Sequence, residues 1–111
     1  MSCNTIPYSR PWPVAREGRT WAGVRYQVAG TGTLSTVVAV VKDSDGTASL
    51  TLNSAATGAT LTTGTSGAWD FEMDQITAVG LSAGFYSYEI TLTLSDGTKT
   101  DWFVGPWEVK T

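Results

Sequence analysis

Histidine is missing from the 111 residues. Its absence excludes Ser-His-Asp and Cys-His nucleophilic catalysis, the commonest zinc sites and any imidazole-based pH switch. Only one cysteine, Cys3, is present, so no intrachain disulfide can form, and a thiol in a terminal stretch is poorly held for nucleophilic work. It reads as a free thiol, with an interchain bridge as the alternative. Charged residues make up only 15% of the chain, well under the usual share of about a quarter. The net charge is −3, and the four arginines and three lysines are scattered; they do not form the basic run that a phosphate backbone calls for, so nucleic acid is not an expected partner. No apolar stretch approaches the roughly 20 residues of a membrane-spanning helix. Met1-Ser2-Cys3-Asn4 lacks the basic and then apolar order of a secretory signal. The expectation is a product of the cytosol that stays soluble or leaves within an assembly, with no membrane partner.

What remains is small and polar. Threonine, serine and glycine account for 40 of the 111 residues, a composition hostile to long helices and favourable to strands. The length suits one domain. A chain of this size buries about 65% of its unfolded surface, enough for a core without a metal or disulfide staple. An all-β domain follows, with no cofactor and no metal site called for.

Pro7, Pro11 and Pro13 forbid regular pairing near the start and favour extended geometry. Residues 1–15 are therefore read as an N-terminal arm and residues 16–111 as the domain. Tyr8 and Trp12 sit among those prolines, where they serve either as a latch onto the chain's own domain or as anchors for a neighbour. From Thr20 onward, Ala22, Val24, Tyr26 and Val28 alternate with Trp21, Gly23, Arg25 and Gln27, the period of a half-buried strand. That phase puts Trp21 on the face opposite Val24 and Val28. Val37 to Val41, then Asp43-Ser44-Asp45-Gly46, then Ala48, Leu50 and Leu52 read as a hairpin. Its Asp-x-Asp-Gly turn opens like a calcium loop but lacks the later oxygen ligands and closing glutamate, so the plain turn is preferred. The stretch from Asn53 to Gly67 is low in large apolar residues and reads as a weak edge strand or a mobile loop.

Trp69, Phe71 and Met73 alternate with Asp70, Glu72 and Asp74. Three carboxylates on one strand face, about 7 Å apart, are close enough for acid and base chemistry of the glycosidase kind. They are also what a solvated face looks like, and no nucleophile or histidine accompanies them. The last third is the most specific. Tyr86, Tyr88, Ile90, Leu92 and Leu94 share one face, Ser95-Asp96-Gly97-Thr98 is a hairpin turn, and Trp102, Val104, Trp107 and Val109 return, interrupted by Gly105-Pro106. That interruption reads as a bulge or kink in an edge strand. Leu81-x-x-Gly84-x-Tyr86-x-Tyr88 has the layout of the tyrosine corner of immunoglobulin-like sandwiches, with Tyr86 at the corner and Tyr88 in the core position that antibody domains give to cysteine. The fold expected is an immunoglobulin-like antiparallel β-sandwich of about seven strands with an extended arm.

Gly18-Arg19-Thr20, Lys42 to Gly46, Leu81 to Ile90, Ser95 to Thr98 and the closing Gly105-Pro106-Trp107-Glu108-Val109 together resemble the immunoglobulin-like domains of tailed-bacteriophage structural proteins, notably the N-terminal domain of baseplate upper proteins. The likeness covers about residues 16–111. It implies a non-enzymatic virion building block, made in the host cytoplasm, that packs against other particle proteins or repeated copies of itself as a tail, baseplate, neck or capsid-decorating subunit. Tyr8, Trp12 and Trp21 are then the candidate interface residues, and Gly84, Tyr86 and Tyr88 the structural ones. Five tryptophans and four tyrosines support a second reading, a carbohydrate-binding module, for which Trp21 is the candidate platform.

Overall fold

Alternation of aromatic and β-branched residues with Thr, Ser and acids drives the chain into strands, and no helix forms among the described residues. The computed structural model describes the backbone of residues 8–111 and the side chains of residues 10–100 and 103–111. Cys3 and the side chains of Tyr8 and Trp102 lie outside the described residues. Nine strands form within these limits: β1 (Tyr8–Ser9), β2 (Ala15–Arg16), β3 (Val24–Val28), β4 (Leu34–Lys42), β5 (Ala48–Asn53), β6 (Ala59–Thr63), β7 (Trp69–Met73), β8 (Gly84–Leu94) and β9 (Lys99–Lys110). The larger sheet has the order β1-β9-β8-β4-β5, with β2 also on β9, and the smaller is β3-β7-β6.

The segment expected as an arm is part of the larger sheet. Tyr8 and Ser9 pair with Phe103 and Val104, and Ala15 and Arg16 with Val109 and Lys110, both in parallel. Pro11 and Pro13 carry no N–H for a ladder, which splits this contact into two short strands with a loop between them. The expected boundary at residue 15/16 therefore cuts through β2. The strand count rises above seven, and the pairing is not wholly antiparallel.

The two sheets close on one core. β4, β8 and β9 send in Val37, Ala39, Val41, Tyr88, Ile90, Leu92, Phe103, Trp107 and Val109, while the smaller sheet contributes Tyr26, Trp69, Phe71 and Met73. Chain crosses from one sheet to the other at residues 17–21. There Glu17 N–H donates to the Lys110 carbonyl, Gly18 N–H to Val79, and Trp21 and Ile76 exchange both backbone bonds.

Two sequence expectations shift here. Trp21 is buried together with Tyr26, although simple alternation puts them on opposite faces. Gly23 is the reason: its φ of 88° is a left-handed conformation that glycine adopts freely, and this turn resets the strand phase between Trp21 and Val24. In β9 the extra residue sits not at Gly105-Pro106 but at Trp102, since Ile90 pairs with Phe103 and Thr91 with Asp101. Phe103, Gly105, Trp107 and Val109 then face inward in unbroken alternation, and β9 is flanked by β8 on one side and by β1 and β2 on the other. The stretch from Asn53 to Gly67 takes the first of its two expected forms, with β6 an edge strand on β7.

A Cβ at position 23 would lie 2.2 Å from the Met73 carbonyl oxygen, so the φ and the contact penalise any side chain. Gly23→Ala is expected to lose about 2 kcal/mol or more of stability, read as a lowered urea midpoint at unchanged slope.

Candidate functional site

The loop between β1 and β2 joins a connected group of aromatic side chains. Trp12 leaves the surface and stacks on Tyr88, ring centroids 4.1 Å apart and planes 9° from parallel. Trp107 meets it edge-on at 5.2 Å, and Trp21 lies tilted at 5.3 Å. Offset and edge-to-face arrangements such as these add to plain area burial. Each indole N–H is also satisfied: Trp12 Nε1 donates to the Tyr26 hydroxyl at 2.8 Å, and both Trp21 Nε1 and Trp107 Nε1 donate to the Pro13 carbonyl at 2.9 Å. The Tyr88 hydroxyl donates to the Arg10 carbonyl. Thus two backbone carbonyls of the proline segment, at Arg10 and Pro13, are claimed by core aromatics. The Trp12 N–H in turn donates to the Pro106 carbonyl at 3.1 Å.

Gly105 permits this arrangement. An added Cβ there would stand 2.3 Å from the Arg10 carbonyl oxygen and 2.9 Å from the Tyr88 ring. The proline segment can reach Tyr88 only because position 105 has no side chain.

These contacts correct the candidate interface. Trp12, read as a latch onto the chain's own domain or an anchor for a neighbour, acts as the latch, and Trp21, read as an interface residue or a sugar platform, is buried beside it; at 3% and 2% exposed both belong to the chain's own core. Trp69 and Trp107 are buried as well, and Trp69 Nε1 donates to the Gly32 carbonyl at 2.9 Å. No described tryptophan presents a ring face to solvent. Among the described residues the large aromatic that does so is Phe85, at 74% exposure on β8, which sequence reasoning passed over as one more residue of an alternating strand.

The remaining candidates sit elsewhere. The Tyr86 hydroxyl donates to the Ser82 carbonyl, four residues upstream, at 2.7 Å. Tyr88 is fully buried. Gly84 opens β8 opposite Val109, and a Cβ there would meet only the Tyr86 ring, at 3.9 Å. Two of the three acids read along β7 are engaged: Asp70 accepts two bonds from Arg25, at 2.6 and 3.0 Å, and Asp74, just past the strand, accepts one from Thr60 at 2.7 Å. The hydrogen-bonded Arg25 guanidinium holds the Asp70 carboxyl below its ordinary range. Asp43 spends one carboxylate oxygen on the N–H groups of Asp45 and Thr47, at 2.9 and 3.0 Å, the work of a turn. Among the described residues no cluster of three or more acidic, histidine or cysteine side chains could hold a metal ion.

Beside the aromatic group lies an open groove of about 890 Å³. Trp12, Val14, Val24, Tyr26, Val28 and Phe103 are among its walls. It lies between the proline loop and β3, an outer strand of the smaller sheet. Its lining is chiefly apolar, and Val14 on the rim is 52% exposed. A surface of this kind favours contact with another apolar surface over chemistry on a small polar substrate. No protein-family model matches the chain, and no match is found among curated proteins.

Burial pushes the Tyr26 phenol far above its ordinary range, against the opposing effect of the bond from Trp12. Above about pH 10 the unfolded chain loses this proton while the folded chain keeps it, so the folded state binds more protons and stability falls as pH rises. Tyr26→Phe removes that part of the alkaline slope. At neutral pH it leaves the Trp12 N–H buried without its acceptor, a loss of about 1–3 kcal/mol. Urea titrations at pH 7 and at about pH 11 on both proteins check the two effects together.

Proposed function

We propose that this chain is an immunoglobulin-like, non-enzymatic structural subunit of a bacteriophage particle, acting through protein-protein contacts and present in repeated copies. The strand order supports the fold. β3, β7 and β6 stand as B, E and D, and β4, β8 and β9 as C, F and G, with β5 beside C. The Tyr86 to Ser82 bond is where a tyrosine corner belongs, two residues before a core position filled by Tyr88 instead of cysteine. The observation that carries the contact role is the apolar groove along an open sheet edge. The particle assignment rests on the resemblance of Leu81 to Ile90 and its flanking turns to virion domains. A glycan-binding role loses its support, because the four described tryptophans are buried with their N–H groups bonded inside the chain.

Quantitative mass spectrometry of purified phage particles encoding this chain tests the proposal. Peptides at a fixed ratio to the major capsid protein are expected. Hundreds of copies would indicate capsid decoration, and a few to some tens would indicate tail, neck or baseplate. Absence from purified particles would overturn it.

A further inference from the structure

Among the described residues the sheets end at the two-residue strands β1 and β2 and at three longer strands, β5, β6 and β3. Natural proteins blunt such edges with bulges, charges or covering chain. The pairing of β6 with β7 is broken by an irregularity between Leu61 and Thr63, and that of β4 with β5 by one between Val41 and Lys42. β3 has neither interruption: Val24 to Val28 pair with Met73 to Trp69 in unbroken register. Among the described residues no strand lies on its outer side. Its one charge, Arg25, is exposed and paired with both oxygens of Asp70, so it opposes an approaching strand only where that strand sets a second positive charge against it. The apolar groove runs beside this edge.

The strand reads Val-Arg-Tyr-Gln-Val, the same order of apolar, polar, aromatic, polar and apolar from either end. An antiparallel pair of two such strands centred on Tyr26 sets Val24 against Val28 and Arg25 against Gln27, twice over, with no like charges opposed. A two-fold contact requires this self-complementarity. We infer that the occupant of the β3 edge is a second copy of this chain, joined β3 to β3 in a continuous six-stranded sheet in which the two grooves merge. The inference rests on the proposed contact role of the groove, and it names the partner.

The test is sedimentation equilibrium of the full chain from roughly 10 µM to 1 mM, with Cys3 kept reduced. A monomer-dimer equilibrium is expected. Gln27→Arg opposes two arginines at each of two symmetry-related places and should weaken the dimer about tenfold. The residue is exposed and stands opposite Asp70 in the register, so an arginine there buries no charge and removes no contact of the core. The exchanged variant, Arg25→Gln with Gln27→Arg, restores an arginine facing a glutamine and should regain the affinity. Hydrogen exchange on the unaltered protein provides a check that needs no variant: amides of residues 24–28 should become more protected as concentration rises. A monomer throughout the range would overturn the inference, as would a Gln27→Arg dimer of unchanged affinity or an exchanged variant that stays weak. Particle mass spectrometry separates this outcome from that of the broader proposal. A monomeric chain found in particles overturns only the β3 dimer, and a dimeric chain absent from particles overturns only the virion role.

Discussion

The Pro13 carbonyl accepts two indole N–H groups, from Trp21 and Trp107, and the order of the whole groove side depends on that shared acceptor. Three tryptophans cannot be buried together unless each N–H finds a partner, since an orphaned donor in the core costs about 1–3 kcal/mol. Proline supplies the partner well. Its own N–H is absent, its φ is fixed, and the segment therefore presents carbonyls with little competing backbone pairing. Arg10 does the same for Tyr88. The proline segment thus acts as a rigid row of acceptors, and the aromatics fold onto it.

This arrangement also explains how the domain dispenses with a disulfide between its sheets. Tyr88 takes the central position on β8, and Trp12 stacks on it while bonding Tyr26 on the opposite sheet. The cross-sheet tie is then made of ring contacts and one hydrogen bond, which do not depend on redox conditions. Phe71, Phe103 and Tyr26 continue the aromatic contact along the core, with centroid separations from 4.5 to 6.0 Å.

How far the sequence reveals this can be argued from particular residues. The strands β4, β5, β7 and β8 are legible because Val37 to Val41, Leu50 and Leu52, Trp69 to Met73, and Tyr88 to Leu94 keep one period without interruption. Trp21 is misplaced by the same reasoning, because the phase reset at Gly23 depends on a positive φ and on the nearby Met73 carbonyl, neither of which a pattern of apolar residues expresses. The glycine itself was the available signal. Gly105-Pro106 invites the reading of a kink, yet its glycine answers to the approach of Arg10 from almost a hundred residues away. Long-range contacts of this sort leave no local trace. The groove was illegible for a related reason, since its walls come from segments that local patterns do not connect, the proline loop, β3 and Phe103.

That gap follows from the same constraint that orders the core. Once Tyr8, Ser9, Ala15 and Arg16 pair with β9, the first strands are committed to the larger sheet and cannot also lie along β3. The aromatics that bond Arg10 and Pro13 hold the segment on that side. The uncovered edge is therefore a consequence of how the core is pinned and not an independent feature. Strengthening the pin holds the proline segment more firmly on the β9 side and leaves β3 open. Any substitution that loosens Trp12 should alter the groove and the core together, whereas Gln27, exposed between the inward-facing Tyr26 and Val28, can alter the edge without disturbing the core.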